Sequence, residues 1–239
     1  MIFGLWLVRF QTSGMRKKGN PYLKAFNRLL SAFGPQGWWP AETPFEVMVG
    51  AILTQHTAWT NVERAIASLK ASGNFEPEAL LQMPDGELAA WIRPAGFHRV
   101  KARRLKAFLA YFMSQYSGDV KKMRAMPASV LRPELLGVNG VGPETADCIL
   151  LYALEKQSFV VDAYTRRIFS RLGLVDGGVK YPELRARFVC ALPDDGMLYN
   201  EYHALIVALG KEICRPRPRC DRCPLERMCP VGKNVRCEM

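Results

Sequence analysis

Apolar residues recur at helical spacing along most of the 239-residue chain. This periodicity, interrupted by Gly and Pro, indicates amphipathic helices joined by short turns. The pattern predicts helices at 21–33, 44–55, 60–73, 100–116, 162–172 and 199–212. The second of these is apolar on most faces, which predicts a central position. Short β-like pieces such as 158–161 have no partner, so we expect an all-α fold without internal repeats.

The composition indicates a folded protein that binds a polyanion. Hydrophobic residues make up 49% of the chain, which is ample for a core. Thirty-three Lys and Arg against 22 Asp and Glu give a formal charge of +11, spread along the chain. A membrane surface would also attract this charge, but there is no apolar run of 18 residues and no strongly basic amphipathic helix. We therefore expect no membrane association.

The first residues do not have the pattern of a secretory signal, because their short apolar run is broken by Arg9. We set residues 1–14 apart as an N-terminal extension of unassigned role, with Met15 as an alternative start. Seven cysteines, an odd number concentrated near one end, do not match a secreted disulfide framework. A cytoplasmic chain with a metal site is the better expectation.

A glycine-containing turn precedes a predicted helix in LGVNGVGPETADCILLY, residues 136–152. Gly140 and Gly142 allow a tight turn, and Pro143 suits the first helical position. Free N–H groups at the positive end of a helix would form an anion site. A simple turn between two helices is equally compatible with this stretch alone.

Four cysteines follow the spacing C-x5-C-x2-C-x5-C, namely Cys214, Cys220, Cys223 and Cys229. Four thiolates so close in sequence can surround one metal centre, and both zinc and a [4Fe–4S] cluster accept them. The single loop with one close pair favours the iron–sulfur cluster, because zinc ribbons separate two close pairs by a longer loop. The loop also carries five arginines, which favours phosphate contact over a redox role.

The glycine turn, an aspartate about 20 residues later in VVDAYTRRIF, and the four-cysteine loop occur in one order. Over roughly residues 22–229 this combination resembles the helix-hairpin-helix DNA glycosylases of the endonuclease III superfamily. One departure is the first cysteine gap, which is five residues where endonuclease III usually has six. The resemblance implies two helical domains, with DNA in the groove between them and the target nucleotide rotated out of the duplex. A six-helix domain with the hairpin would span 36–156, and residues 15–35 and 157–239 would form the iron–sulfur domain.

The resemblance also implies roles for individual residues. Asp162 matches the aspartate that the superfamily uses to stabilise positive charge on the sugar, with a helix N-cap as its structural alternative. Gly140 and Gly142 would offer N–H groups to a DNA phosphate, and a monovalent cation is expected at the same hairpin. Gln55 would enter the gap left by the flipped nucleotide, whereas His203, in an apolar helix, is expected to be structural. The other residues expected at the DNA are Thr145, Arg99, Lys101 and Arg103.

Position 144 bears on the type of reaction. Bifunctional relatives carry a lysine there, in a pattern like GVGRKTA, and its amine attacks the sugar before strand cleavage. The sequence GVGPETA has Glu144 instead, which implies a monofunctional glycosylase. The default role of Glu144 is a solvated carboxylate at a helix N-terminus.

The stretch GWWPAETPFEVMVGAILTQHTAWTNVERAI resembles the branch of the superfamily that excises alkylated bases, above all 3-methyladenine. The matching base-pocket positions are Trp38, Trp39, Pro40 and Trp59, and His56 would line the pocket or the DNA surface unless its role is structural. An alkylated purine is cationic, and indole faces attract cations by about 0.5–2 kcal/mol per contact. Without the resemblance, tryptophans that fill a domain interface would be the simpler interpretation.

Two alternatives stay open beside this leading hypothesis. A glycosylase for uracil or thymine opposite guanine also lacks the lysine in some members, but it needs amide-type hydrogen bonds that a tryptophan-rich pocket supplies poorly. A non-catalytic module could hold damaged DNA through the hairpin and the cluster, although the register of Asp162 argues against it. The leading hypothesis is a monomeric, cytoplasmic, nucleoid-associated enzyme that acts on damaged double-stranded DNA. It would excise 3-methyladenine, with 7-methylguanine as a second candidate base.

Overall fold

The computed structural model describes residues 19–39 and 41–232, and this part of the chain is helical without any strand. The expected all-α fold is therefore confirmed. The helices are α1 Pro21–Phe33, α2 Pro44–Leu53, α3 Trp59–Ala71, α4 Pro77–Gln82, α5 Asp85–Trp91, α6 His98–Tyr116, α7 Val120–Ala125, α8 Ala128–Gly137, α9 Pro143–Cys148, α10 Ala163–Arg171, α11 Tyr181–Ala191 and α12 Gly196–Glu212.

The helix α2 is the centre of one helical layer, as its uniform apolar pattern predicts. All residues from Phe45 to Leu53 are buried. The helix packs against α3, α6 and the continuation of α9. Thr43 caps its first turn by accepting a hydrogen bond from the Glu46 N–H at 3.1 Å, which satisfies one of the free donors at the helix start.

The first helix packs against the C-terminal part of the chain. In α1, Asn20 caps the first turn through bonds from the N–H groups of Tyr22 and Leu23, and the apolar face packs on α11 and α12. The Tyr202 hydroxyl donates to the Tyr22 carbonyl at 2.7 Å. This packing places α1 beside the C-terminal helices in one helical layer. The discontinuous domain that the resemblance implies stays a prediction.

The helix α9 ends in a wide turn, Ile149–Ala153, closed by a bond from the Leu154 N–H to the Ile149 carbonyl. Its one fully buried carboxylate, Asp147, is 0% exposed. Asp147 accepts two bonds from Arg132 at 2.9 and 3.0 Å and one from Tyr181 at 2.8 Å. This network fixes α9 to α8 and α11, because a buried charge without these partners would be costly.

Several expectations fall on residues outside the described part of the chain. They concern the extension 1–14, Met15, Pro40 and the segment 233–239. Among the described residues, none of the helices combines the length and the apolar character needed to cross a membrane.

Candidate active site

The carboxylate of Asp162 stands at the start of α10. Its Oδ1 accepts bonds from the Thr165 N–H at 2.7 Å and the Thr165 hydroxyl at 2.8 Å, and the Thr165 hydroxyl also accepts from the Asp162 N–H. This reciprocal cap shows that the N-cap role is real. Thr165 donates to Oδ1 only, so Oδ2 can interact with other groups.

The second oxygen of Asp162 faces a histidine on another helix. His203 Nε2, in α12, lies 3.6 Å from Oδ2, and the two side chains are 6% and 12% exposed. Burial by itself would raise the pKa of Asp162, but the attraction of His203 and the bonds from Thr165 outweigh burial and lower the pKa. The site therefore keeps an ionised carboxylate in a nearly dry position. His203 is buried, as expected for a structural residue, but it faces the proposed catalytic group.

The hairpin helix places a second carboxylate beside the first. Glu144, in the first turn of α9, still reaches solvent. It stands over densely packed residues that partly desolvate it, and this desolvation followed by repulsion from Asp162 raises the pKa of Glu144 to about 6. The expected solvated position is thus correct, but the carboxylate is not isolated. Two neighbouring acids therefore have pKa values shifted in opposite directions.

Aromatic rings from separate elements meet beside these acids. Trp39 packs against Trp38 at 6.0 Å between ring centroids, against Trp59 at 5.0 Å and against Tyr152 at 4.9 Å. Trp38 also contacts His203 at 6.5 Å. The three tryptophans of the expected base pocket are therefore joined in one cluster. Pro40 lies outside the described residues, and His56 is exposed with a left-handed φ of 54°.

The loop after α2 is joined to the hairpin through Gln55. Its Nε2 donates to the Gly140 carbonyl and to the Thr145 hydroxyl, both at 3.0 Å, and its Oε1 accepts from Arg104. Gly140 has a φ of +86°, and a Cβ there would collide with the Arg104 side chain, so glycine is required. Gly142 has an ordinary backbone conformation with a φ of −87°. Gln55 points to the hairpin in this structure.

Two residues expected at the DNA surface are buried, and both expectations need correction. Lys101 is 1% exposed, and its Nζ donates to the carbonyls of Leu53 at 2.8 Å and Ala95 at 2.7 Å. It joins three elements and cannot belong to the basic face. Thr145 is 6% exposed, and its hydroxyl is occupied by Gln55.

The first two turns of α6 carry the exposed basic face. Arg99 and Arg103 are both exposed there, as expected. Immediately before them, Phe97 has a left-handed φ of 46° and is 70% exposed. A large aromatic residue held out in solvent in a strained conformation indicates a contact surface.

The four cysteines line one small apolar cavity together with residues of the same loop. Cys214 and Cys220 are buried, and Cys223 and Cys229 are half-buried. Arg171, in α10, donates to the Cys214 sulfur at 3.3 Å and to the Arg215 carbonyl at 2.6 Å. Four sulfur donors suit an iron–sulfur or zinc centre. Among the described residues, however, no three ligand side chains lie close enough together to hold a metal ion as they stand.

The cysteine loop is fixed to the helix that begins at Asp162. Arg167 donates from Nε to the Cys214 carbonyl at 2.8 Å and from its terminal nitrogen to the Gly210 carbonyl at 2.9 Å. A bound centre would therefore stabilise the position of α10, and hence of Asp162.

Comparison with known proteins identifies the class of protein that this fold and site define. Residues 49–192 match the HhH-GPD superfamily base excision DNA repair protein family. The chain belongs to this family and is a DNA glycosylase of the endonuclease III superfamily.

One relative and two solved structures specify the similarity further. The chain is 50% identical over 208 residues to "Putative DNA repair glycosylase MJ1434" of Methanocaldococcus jannaschii, covering 86% of this chain and 94% of that protein. It is 28% identical to H. pylori 3-methyladenine DNA glycosylase (MagIII), solved bound to 1,N6-ethenoadenine, with a TM-score of 0.67 over 81% of this chain and 97% of that one. A trapped endonuclease III–DNA covalent intermediate shares the fold, with a TM-score of 0.77, 23% identity and coverage of 89% and 96%.

The sequence did not predict that three residues, Tyr152, His203 and Phe97, belong to the site. Tyr152 and His203 join the site only because α9, α10 and α12 converge, and no local pattern shows this. The sequence signal for His203 was a lone polar side chain in the apolar helix YHALIVALG. Phe97 carried a weaker signal, an aromatic residue between a glycine and a basic run.

Proposed function

We propose that the protein is a monofunctional DNA glycosylase that hydrolyses the N-glycosidic bond of alkylated purines. The observation that carries this proposal is a tryptophan cluster that His203 joins to Asp162, with Glu144 close enough to repel the same carboxylate. Cleavage of the bond leaves positive charge on the sugar, which an ionised carboxylate in a nearly dry site stabilises strongly.

The aromatic cluster supports a cationic base as the substrate. Trp38 already holds a cation in this structure, because Lys211 Nζ lies 5.6 Å from its ring centroid. A methylated purine could use the same attraction at Trp38, Trp39 or Trp59. The carboxylates add negative potential, which also favours a cationic base. Because such a base is a good leaving group, the proposed reaction needs no strong general acid.

The absence of lyase chemistry is proposed from position 144. A lyase needs an amine that attacks the sugar, and Glu144 has none. The amine of Lys211 is the one to examine should strand cleavage occur, because it lies against the same tryptophan cluster.

The DNA-binding face is proposed to include the hairpin N–H groups of Gly140 and Gly142, the guanidinium groups of Arg99 and Arg103, and the exposed ring of Phe97. Phosphates would bind the charged groups and set the register. The aromatic ring would stack where a base has been displaced, a role that apolar side chains play in other distorted duplexes.

The cysteine loop is proposed to hold a [4Fe–4S] cluster through Cys214, Cys220, Cys223 and Cys229. When bound, the cluster would supply a rigid anchor for the loop and for α10. The proposal includes a monovalent cation at the hairpin and a monomeric enzyme in the cytoplasm.

A second candidate substrate is a neutral pyrimidine such as uracil or thymine opposite guanine. The specific observation is that the indole nitrogens of Trp38 and Trp39 have no hydrogen-bond partner among the described residues. An N–H donor without a partner could bind a pyrimidine carbonyl oxygen.

The test is base release from duplex DNA, with the freed base identified by mass spectrometry. Substrates are methylated DNA and duplexes with uracil or thymine opposite guanine, and Asp162→Asn is the matched variant. We expect methylated purines, loss of turnover in the variant with DNA affinity retained, and nicks only after alkali. Release of pyrimidines alone would support the second candidate, and nicks without alkali would contradict the monofunctional proposal. Unchanged turnover in Asp162→Asn would exclude the catalytic role.

A further inference from the structure

Three side chains from three elements form a line at the proposed catalytic carboxylate. The Tyr152 hydroxyl, at the end of α9, is hydrogen-bonded to His203 Nδ1. On the other side of the ring, Nε2 faces Asp162 Oδ2 at 3.6 Å. Nε2 is buried and has no hydrogen-bond partner in the described chain. Since Thr165 occupies only Oδ1, Oδ2 is the oxygen that His203 can influence.

The tyrosine determines which nitrogen of the neutral ring carries the proton. Burial, followed by the charges of Cys148, Asp162 and Glu201, raises the pKa of Tyr152 well above its usual range. The phenol therefore keeps its proton and can donate a hydrogen bond to Nδ1. We assign this direction, because the opposite tautomer would turn the lone pair of Nε2 towards the Asp162 carboxylate. A neutral imidazole that accepts at Nδ1 carries its own proton at Nε2, and this N–H faces Asp162.

We propose that His203, held by Tyr152, is a positioning residue that directs its Nε2–H at Oδ2 of Asp162 and keeps this carboxylate ionised and correctly oriented. The inference rests on the proposed role of Asp162 in base excision. A buried carboxylate needs compensation for lost hydration, and Thr165 supplies it for one oxygen only. His203 supplies it for the oxygen that is free to face the sugar.

The other groups around the histidine do not replace this role. The aromatic rings in contact with the imidazole are Trp38 and Tyr152, and neither carries a charge. Glu144 on α9 interacts with both Asp162 and His203, and Arg166 on α10 acts on Glu144. Cys148 and Glu201 act through Tyr152. Among these groups, His203 is therefore the one that can offer Oδ2 of Asp162 an N–H or a positive charge.

The kinetic test compares His203→Leu, which removes the donor, with His203→Gln, whose amide can place an N–H near the same point. Single-turnover base release is measured as a function of pH, together with affinity for DNA that contains an abasic-site analogue. We expect His203→Leu to lose at least about tenfold in rate, the equivalent of one pKa unit. Its acid limb should move to higher pH, because Asp162 loses a partner that lowers its pKa.

The conservative variant separates positioning from packing. We expect His203→Gln to retain most of the rate and all three proteins to bind the DNA analogue equally. A His203→Leu enzyme with the wild-type rate and pH profile would overturn the inference. Equal rate losses in both variants, accompanied by equal losses in melting temperature, would reduce His203 to a packing role and would overturn it as well.

A second measurement decides the inference without using activity, and so separates it from the proposed function. The chain has three histidines, so imidazole ¹⁵N NMR of the intact protein can resolve His203. We expect protonated Nε2 and unprotonated Nδ1, with a mixture of tautomers in Tyr152→Phe. Protonated Nδ1 in the neutral wild-type ring would refute the proposed geometry, even in an active enzyme. If the wild type released no base but showed the expected tautomer, the proposed function would fail while the arrangement of His203 stood.

Discussion

Replacing Lys101 by methionine tests the most unexpected electrostatic feature of the fold. The ammonium group is 1% exposed, and burial followed by repulsion from Arg104 lowers the pKa of Lys101 from 10.5 to about 8. At about 1.36 kcal/mol per pKa unit, this shift corresponds to roughly 3 kcal/mol. That free energy is the cost of keeping the group charged in the folded protein.

The sign of the pH dependence follows from the two protonation states. The unfolded chain holds the Lys101 proton more tightly than the folded protein does, so folded stability rises as pH increases from about 8 to 10.5. Below pH 8 the full cost is present, and above 10.5 it is gone. The neutral amine still has two N–H groups for the carbonyls of Leu53 and Ala95, so these bonds persist. In Lys101→Met both carbonyls lose their partner, at about 1–3 kcal/mol each.

The assay is the free energy of unfolding from urea titrations at a series of pH values. The wild type minus Lys101→Met difference cancels all other titrating groups and should rise by roughly 3 kcal/mol across this window. Lys121→Met is the matched control, because Lys121 is exposed, and its difference should stay flat. A flat difference for Lys101→Met as well would refute the conclusion that a buried ammonium joins these elements.

Four further changes address the site and its supports. In Glu144→Gln we expect the rate of base release to lose its dependence on pH near 6, because the wild type loses a negative charge beside Asp162 as the pH falls below that value. Single-turnover pH profiles measure this, and a profile equal to that of wild type would contradict it. Asp147→Asn should lower the free energy of unfolding by about 3 kcal/mol, because Arg132 and Arg185 lose the buried carboxylate that they bind. Urea titration measures this loss, and a loss as small as that of an exposed Asp85→Asn control would contradict the prediction. Cys223→Ser should lower both the iron content, measured by metal analysis, and the melting temperature, measured by calorimetry. An iron content equal to that of wild type would exclude Cys223 as a ligand. Arg99→Ala should reduce the salt slope of DNA affinity by about 1, and a slope equal to that of wild type would remove it from the DNA face.

The parts of the fold that local sequence determines were predictable. The helices, the glycine turn and the cap at Asp162 each depend on residues within a few positions of one another. Gly140 illustrates this, because its left-handed conformation follows from the turn itself. The burial of Lys101 was also within reach. It lies four residues before Leu105 and seven before Phe108, on the stripe of α6 that is buried in the structure, but its charge led us to expect an exposed position.

The parts that depend on convergence of distant elements were not predictable. The pairing of His203 with Asp162 requires α12 to pack against the start of α10, and the apolar pattern of α12 is compatible with many rotations. The same holds for the tryptophan cluster. Its members Trp39 and Trp59 lie 20 positions apart in sequence, and only the packing of α2 and α3 brings their rings to 5.0 Å.

Positive and negative side chains lie at different places in this molecule, which the net charge of +11 does not reveal. A chain of +11 attracts the phosphates of DNA over a broad surface, with Arg99 and Arg103 exposed at one part of it. In the proposed reaction, however, the sugar becomes positive as its bond to the base breaks, so negative charge is needed at that point. In our proposal Asp162 and Glu144 supply that sign at the junction of the hairpin and α10. The field of Asp162 is the less screened of the two, because its side chain is only 12% exposed whereas Glu144 reaches solvent. Positive charge for binding and negative charge for reaction are thus placed on neighbouring surfaces. A substitution that changes one should therefore alter either DNA affinity or turnover, but not both equally.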